Sequence, residues 1–271
     1  MTQHKQQDAV ETSPTPTDDQ WRYGYRYVPF DTLDGTTEYT VVPLTLEEAL
    51  YPQEGHHVVR SDLHQRRCVY LYNVFRARLS SEPHAAVLHD VPVRWNVPEV
   101  RPNAPDIVVM TGIQERREWS SFDVAAESAR PALVVEITSP STRIHDLANK
   151  TDDYWDAGVP LYVIVDFSQR RSTTTRRLLG YQTSLDGYVP IVPNERGWLW
   201  LEPVGLWLGI DGDNLVCYDQ DEQSIDDYVE VVAAREEAEV RAEEAEARAA
   251  EAEQRIAALE AELRQLRGGG A

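Results

Sequence analysis

The sequence predicts an α/β protein: a three-layer core with a mixed central sheet flanked by helices, followed by a long C-terminal helix. Three observations predict it. Short apolar runs bounded by Pro or polar residues recur at 85–95, 106–110, 132–138 and 160–167, as buried strands do. Helical spacing at 143–157 falls between two of those runs, which implies a crossover and some parallel pairing. From Tyr228 onward, apolar and small residues repeat at alternating spacings of three and four.

The elements follow in chain order. Residues 1–20, polar and containing Pro and Thr, read as a disordered leader. Residues 21–44 are aromatic and β-prone, with a turn signal at Asp34-Gly35. Leu44 to Leu50 suggests a short helix. Residues 61–79 predict a long helix capped by Ser61, with Leu63, Arg67, Tyr70, Val74 and Leu79 roughly on one face. In the helix over 143–157, Ile144, Leu147, Ala148 and Trp155 form the apolar stripe, and Gly158 is the stop. "PLYVIVDF" at 160–167 is a buried strand. Hairpins turn at Asp186-Gly187 and at Asp211-Gly212.

The domain reading is a leader at 1–20, a globular domain at 21–225, a helical tail at 226–267 and a disordered end at 268–271. In the tail, Tyr228, Val231, Arg235, Ala238, Ala242, Ala245, Ala249, Ala252, Ile256, Leu259, Leu263 and Leu266 make a heptad seam of about five heptads. It predicts a coiled coil and self-association. The other reading is a single solvated helix held by Glu/Arg pairs.

Composition excludes several classes. No stretch of about 18 apolar residues exists to span a bilayer, and the N-terminus lacks the apolar run of a secretory signal. Cys68 and Cys217 are the only cysteines, which argues for two reduced core thiols in a cytoplasmic protein. The formal net charge of −20 excludes a generic DNA-coating protein, because such binding needs basic neutralisation. Contact with nucleic acid would need a local basic patch or metal cations. There are two lysines among the 26 basic residues, Lys5 in the leader and Lys150.

One constellation carries chemistry. Glu136 follows the apolar run Leu133-Val134-Val135, and Asp106 opens the run "IVVM" after Pro105. A buried carboxylate costs several kcal/mol unless paired or metal-bound. Either Glu136 points to a wet face, or two neighbouring strands each bring an acid to one point. Such a pair repels itself without a cation and suits Mg²⁺. Lys150, on the following helix, borders the apolar stripe. Its ammonium could orient or deprotonate a water, which arginine does poorly. It could equally be an exposed helix lysine.

Pro105-Asp106, "VVEITSPSTR", "HDLANK" and "AGVPLYVIVD" together resemble the Uma-type restriction-endonuclease-like family of the PD-(D/E)XK nuclease superfamily, which is abundant in bacteria. The resemblance covers about residues 40–220 and is most specific over 131–166. It implies a restriction-endonuclease-like core and a metal-dependent endonuclease acting on DNA. Asp106 matches the first metal ligand, Glu136 the second, and the Ile137 carbonyl completes the site for Mg²⁺ or Mn²⁺. The usual lysine position, two residues after the acid, is Thr138 here. The resemblance implies that Lys150 supplies the amine instead. It also implies a further glutamate on the first helix, and 61–79 has none; Asp62 or His64 could stand in. Asp166, ending the core strand, is either a turn cap or a group near the metal.

The run Arg170, Arg171, Arg176 and Arg177 could contact a phosphate backbone, or form a solvated hairpin. Arg66 and Arg67 are further basic candidates. A different class stays open beside the enzyme: an inactive nuclease fold kept as an interaction platform, with the coiled coil as its working part.

Overall fold

The computed structural model describes residues 21–53, 55–138, 150–170 and 173–268. The expected leader, the part of the second helix over 143–149 with Ile144, Leu147 and Ala148, Arg171 and the final 269–271 lie outside the described residues. The chain divides into two compact units, Met1–Ser224 and Ile225–Ala271.

The first unit opens with a three-stranded sheet ordered β2-β1-β3, from β1 (Gly24–Asp31), β2 (Thr37–Pro43) and β3 (His56–Val58). The β1–β2 hairpin turns at Asp34-Gly35, as its sequence predicts. Gly24 has φ +115°, and a Cβ there would lie 2.0 Å from the His57 carbonyl oxygen. Only glycine lets β1 and β3 approach so closely. Between β2 and β3, α1 (Leu46–Leu50) begins at Thr45, whose side chain and that of Glu48 form a reciprocal capping box.

The main sheet has six strands in the order β11-β10-β9-β8-β6-β4. They are β4 (Ala85–Leu88), β6 (Ile107–Thr111), β8 (Arg130–Ile137), β9 (Leu161–Arg170), β10 (Thr173–Ser184) and β11 (Gly187–Ile191). β8 and β9 run parallel, and the other pairs are antiparallel. This is the mixed sheet that a helix between two strands requires. β5 (Val93–Arg94) and β7 (Phe122–Asp123) pair in parallel beside it.

The central strands read as continuous apolar runs because both faces are covered. Val108, Met110, Val134, Tyr162 and Ile164 share one core cluster with Trp95 and Tyr154. The alternate set Ile107, Val109, Leu133, Val135, Val163 and Val165 is equally buried. The long helix α2 (Asp62–Arg78) packs against β4, β6 and β8. Ser61 caps it, accepting from the His64 N–H at 3.2 Å. Its buried face is His64, Arg67, Cys68, Leu71, Val74 and Phe75, so Leu63 and Tyr70 sit at the margin of the stripe. Burial of Leu71 and Phe75 contributes about 1.5–3 kcal/mol each.

The described part of the second helix is α3 (Lys150–Asp156). Tyr154 is its buried residue, while Trp155 is half-buried. The antiparallel strands β12 (Leu199–Leu201), β13 (Leu206–Asp211) and β14 (Asn214–Tyr218) follow, with the expected turn at Asp211-Gly212. Cys68 and Cys217 are free and buried.

The second unit is dominated by α4 (Tyr228–Gly268), a helix of 41 residues. Tyr228, Val231 and Ile256 of the heptad seam are exposed on it. Arg235–Glu239, Arg241–Glu237 and Arg248–Glu244 pair one turn apart.

Candidate active site

β6 and β8 pair antiparallel with Ile107 opposite Val135. Asp106 directly precedes Ile107 and Glu136 directly follows Val135, so the register brings the two acids to the same end of the two strands. Both acids are buried, and both line one cleft of about 60 Å³ together with Arg60, His64, Ile137 and Lys150. The Ile137 N–H donates to Asp106 Oδ2 at 2.7 Å, so the peptide after Glu136 is fixed to the other acid.

Glu136 is 3 % exposed, which excludes the wet face as its environment. Its Oε1 accepts from the Tyr154 hydroxyl at 2.5 Å and lies 3.0 Å from Lys150 Nζ. Lys150, the first described residue of α3, turns inward with a side chain 12 % exposed. Burial, and then the Glu136 carboxylate, push the Tyr154 phenol well above its ordinary pKa, so it remains a donor.

Asp106 has a separate set of partners. Arg60 Nη1 donates to its Oδ1, and His64 Nε2 lies 3.3 Å from that oxygen. Arg60 Nη1 is also 2.9 Å from His64 Nε2, and Arg60 Nη2 donates to Asp90 Oδ1 at 3.0 Å. His89 Nδ1 donates to the Asp106 carbonyl oxygen at 2.8 Å. Burial alone would raise the Asp106 pKa. The Arg60 guanidinium and the His64 ring outweigh it and hold the carboxyl well below the usual carboxylate range. Burial likewise opposes the charge on Arg60, and Asp106 with Asp90 keeps it firmly cationic.

The donor set fits a hard divalent cation: two buried carboxylates lining one small cleft, with the Ile137 backbone beside them. Asp106, His64 and Cys68 also place one candidate ligand atom each within 4.8 Å of one another. The Cys68 thiol is pushed up by burial and stays protonated, so it is a poor ligand as it stands.

Asp106, Glu136, Ile137 and Lys150 thus come together. Of the two substitutes on the first helix, His64 joins them. Asp62 points outward and pairs with Arg66 at 3.1 Å. Arg67 turns into the fold, its guanidinium 3.4 Å from the Phe167 ring centroid. Asp166 lies inside β9 rather than at its end and is fully buried. It accepts from Arg177 Nε at 2.9 Å. Thr138, at the position where the resemblance expects lysine, has its Oγ1 accepting from the Phe167 N–H at 3.1 Å.

Arg176 and Arg177 lie on β10 and do not line the cleft. Arg176 pairs with Asp213 at 2.8 Å. Arg170 ends β9, and its side chain is outside the described residues.

Sequence reasoning missed Arg60, Asp90 and the hydroxyl of Tyr154. The signal for Tyr154 was present, since it falls four residues after Lys150 on one helical face. Arg60 precedes the helix cap in an irregular stretch, where no periodicity marks it.

A mixed six-stranded sheet with helices on it, two buried acids lining one cleft and an inward lysine are the features of a restriction-endonuclease-like fold. The Uma2 family model, described as "Putative restriction endonuclease", matches residues 50–212. That is more than half of the chain, and the chain belongs to this family. It is also similar to a solved structure from Anabaena variabilis ATCC 29413, described as a putative nuclease. The identity is 15 %, over 55 % of this chain and 89 % of that chain, with a TM-score of 0.34. A comparison with curated proteins gives no match. No helix among the described residues is long and apolar enough to cross a membrane.

Proposed function

We propose that this protein is a metal-dependent endonuclease that hydrolyses DNA phosphodiester bonds. The observation that supports this most is the burial of Asp106 and Glu136 on one cleft, with the Lys150 ammonium 3.0 Å from Glu136. Asp106, Glu136 and the Ile137 carbonyl would hold Mg²⁺ or Mn²⁺. When bound, such an ion polarises the scissile phosphate and lowers the pKa of a water.

The chain's own groups do the rest. Tyr154 and Lys150 both hold the same Glu136 oxygen, Oε1. Lys150 orients the attacking water or offsets charge on the pentavalent phosphate. In this reading residues 21–225 are the nuclease domain and 226–267 a coiled-coil tail for self-association, in a cytoplasmic protein. Arg170, Arg171, Arg176 and Arg177 are the proposed phosphate-backbone contacts.

A nicking assay on plasmid DNA with Mg²⁺ or Mn²⁺ tests it, beside Asp106→Asn and Glu136→Ala. Metal-dependent nicking by the parent, lost in both variants, is the expected result. No nicking and no metal binding by the intact chain would leave the second reading, a nuclease fold serving as an interaction platform. One observation favours that reading: each acid already has a resident cation, Arg60 or Lys150.

A further inference from the structure

The two acids of the cleft are neutralised in different ways. Lys150 approaches Glu136 from α3, where the proposed chemistry needs an amine. Arg60 approaches Asp106 from the stretch before α2, and no step of hydrolysis described above uses it. Its Nη1 lies on Asp106 Oδ1 and 2.9 Å from His64 Nε2, so one guanidinium nitrogen occupies the space between two potential ligand atoms. The second oxygen of Asp106 is engaged by the Ile137 N–H at 2.7 Å. A divalent ion on Oδ1 and this guanidinium cannot share the oxygen without strong repulsion, because both are cations within one small, largely buried cleft.

Arg60 has somewhere to go. Its other terminal nitrogen, Nη2, donates to Asp90 Oδ1 at 3.0 Å, and the Asp90 side chain is 45 % exposed. Asp90 itself has φ +54°, a backbone state that Asp and Asn adopt most readily among residues with a Cβ. A swing of the guanidinium toward Asp90 frees Asp106 while the arginine keeps a carboxylate partner.

We infer that Arg60 is a resident cation that competes with the divalent ion for Asp106, and that Asp90 is the carboxylate that receives it when the ion binds. The inference rests on the reading of Asp106 and Glu136 as the metal pair. Arg60 therefore sets how much free metal the protein needs before its site fills. It is a positioning residue and takes no part in bond breaking.

The test is a Mn²⁺ titration of the full chain, with free Mn²⁺ followed by its electron paramagnetic resonance signal. It uses the parent, Arg60→Met, Asp90→Asn, Asp106→Asn and Glu136→Gln. Arg60→Met is expected to bind Mn²⁺ at least tenfold more tightly than the parent. Asp90→Asn is expected to bind severalfold more weakly, since the displaced arginine loses its partner. Asn suits the left-handed backbone at position 90, so this variant keeps the fold even if Arg60→Met does not. Unchanged or weaker affinity in Arg60→Met, or unchanged affinity in Asp90→Asn, overturns the competition. Binding unaffected by Asp106→Asn and Glu136→Gln overturns the metal-pair reading instead. Circular dichroism melts with and without Mn²⁺ give a second readout: the ion should raise the Arg60→Met midpoint more than the parent's.

Discussion

Replacing Lys150 with methionine should unmask the cost of Glu136. The substitution keeps most of the stem and deletes the charge. At the observed 3.0 Å, the pair's Coulomb attraction is about 5 kcal/mol at an effective dielectric of about 20. Part of this offsets desolvation of the two groups. Breaking a buried pair from one side costs about 3–5 kcal/mol, because the remaining charge stays buried with its counter-charge removed. Tyr154 still donates to Glu136, which places the expected loss near the lower end. For a domain of this size, about 3 kcal/mol lowers the melting midpoint by roughly 6–12 °C. Thermal unfolding by circular dichroism measures it. Two controls sharpen the reading. Adding Glu136→Gln to Lys150→Met should restore most of the stability, since the carboxylate charge is then removed together with its counter-charge. Millimolar Mn²⁺ should raise the midpoint of Lys150→Met by supplying another cation. A midpoint within about 2 °C of the parent would refute the buried pair. Equal losses in the single and double variants would refute the charge argument.

Four further outcomes are expected. Tyr154→Phe keeps the buried ring but loses a donor to a carboxylate, so urea unfolding should show a loss of about 1.5–3 kcal/mol. Asp106 has a depressed pKa in the folded state, so its contribution to stability is present above the unfolded value of about 3.9 and is lost as pH falls through the folded value. Arg60→Met weakens that depression by removing its largest lowering cause, and its stability deficit should narrow below about pH 4, as read in denaturant titrations. Burial pushes the Cys217 thiol up to about 12 and raises Cys68 as well; neither should react with a disulfide reagent at pH 8 until the chain is unfolded. The heptad seam should make the full chain oligomeric by sedimentation velocity, and Leu259→Asp with Leu263→Asp should shift it to monomer; a monomeric parent would count against the coiled coil.

The sequence made the sheet legible because its central strands are buried on both faces. Continuous runs such as Leu133-Val134-Val135 leave little choice, and turn glycines at 35, 187 and 212 mark the hairpins. The acids were legible as anomalies, charges where burial forbids them. The amine was legible through scarcity. The rest of the site was hidden for physical reasons. Arg60 reaches Asp106 across 46 residues from an irregular stretch, so neither periodicity nor spacing announces it. His64 is one of the buried residues of α2, yet the apolar periodicity runs through Leu63, one position away. Asp166 follows an apolar strand and looks like its end. Its strand runs on to Arg170, and Arg177 on the next strand neutralises it.

Thr138 carries a last implication. Its hydroxyl accepts from the Phe167 N–H at 3.1 Å, its own N–H donates to the Val165 carbonyl at 2.9 Å, and it is 4 % exposed. The residue stitches the parallel seam between β8 and β9. A long ammonium chain at this point would lose the hydroxyl's bond to the Phe167 N–H and meet the Asp166–Arg177 pair. The place such an amine would occupy on the strand already has a different occupation: the strand residue joins the two parallel strands, and the helix carries the amine.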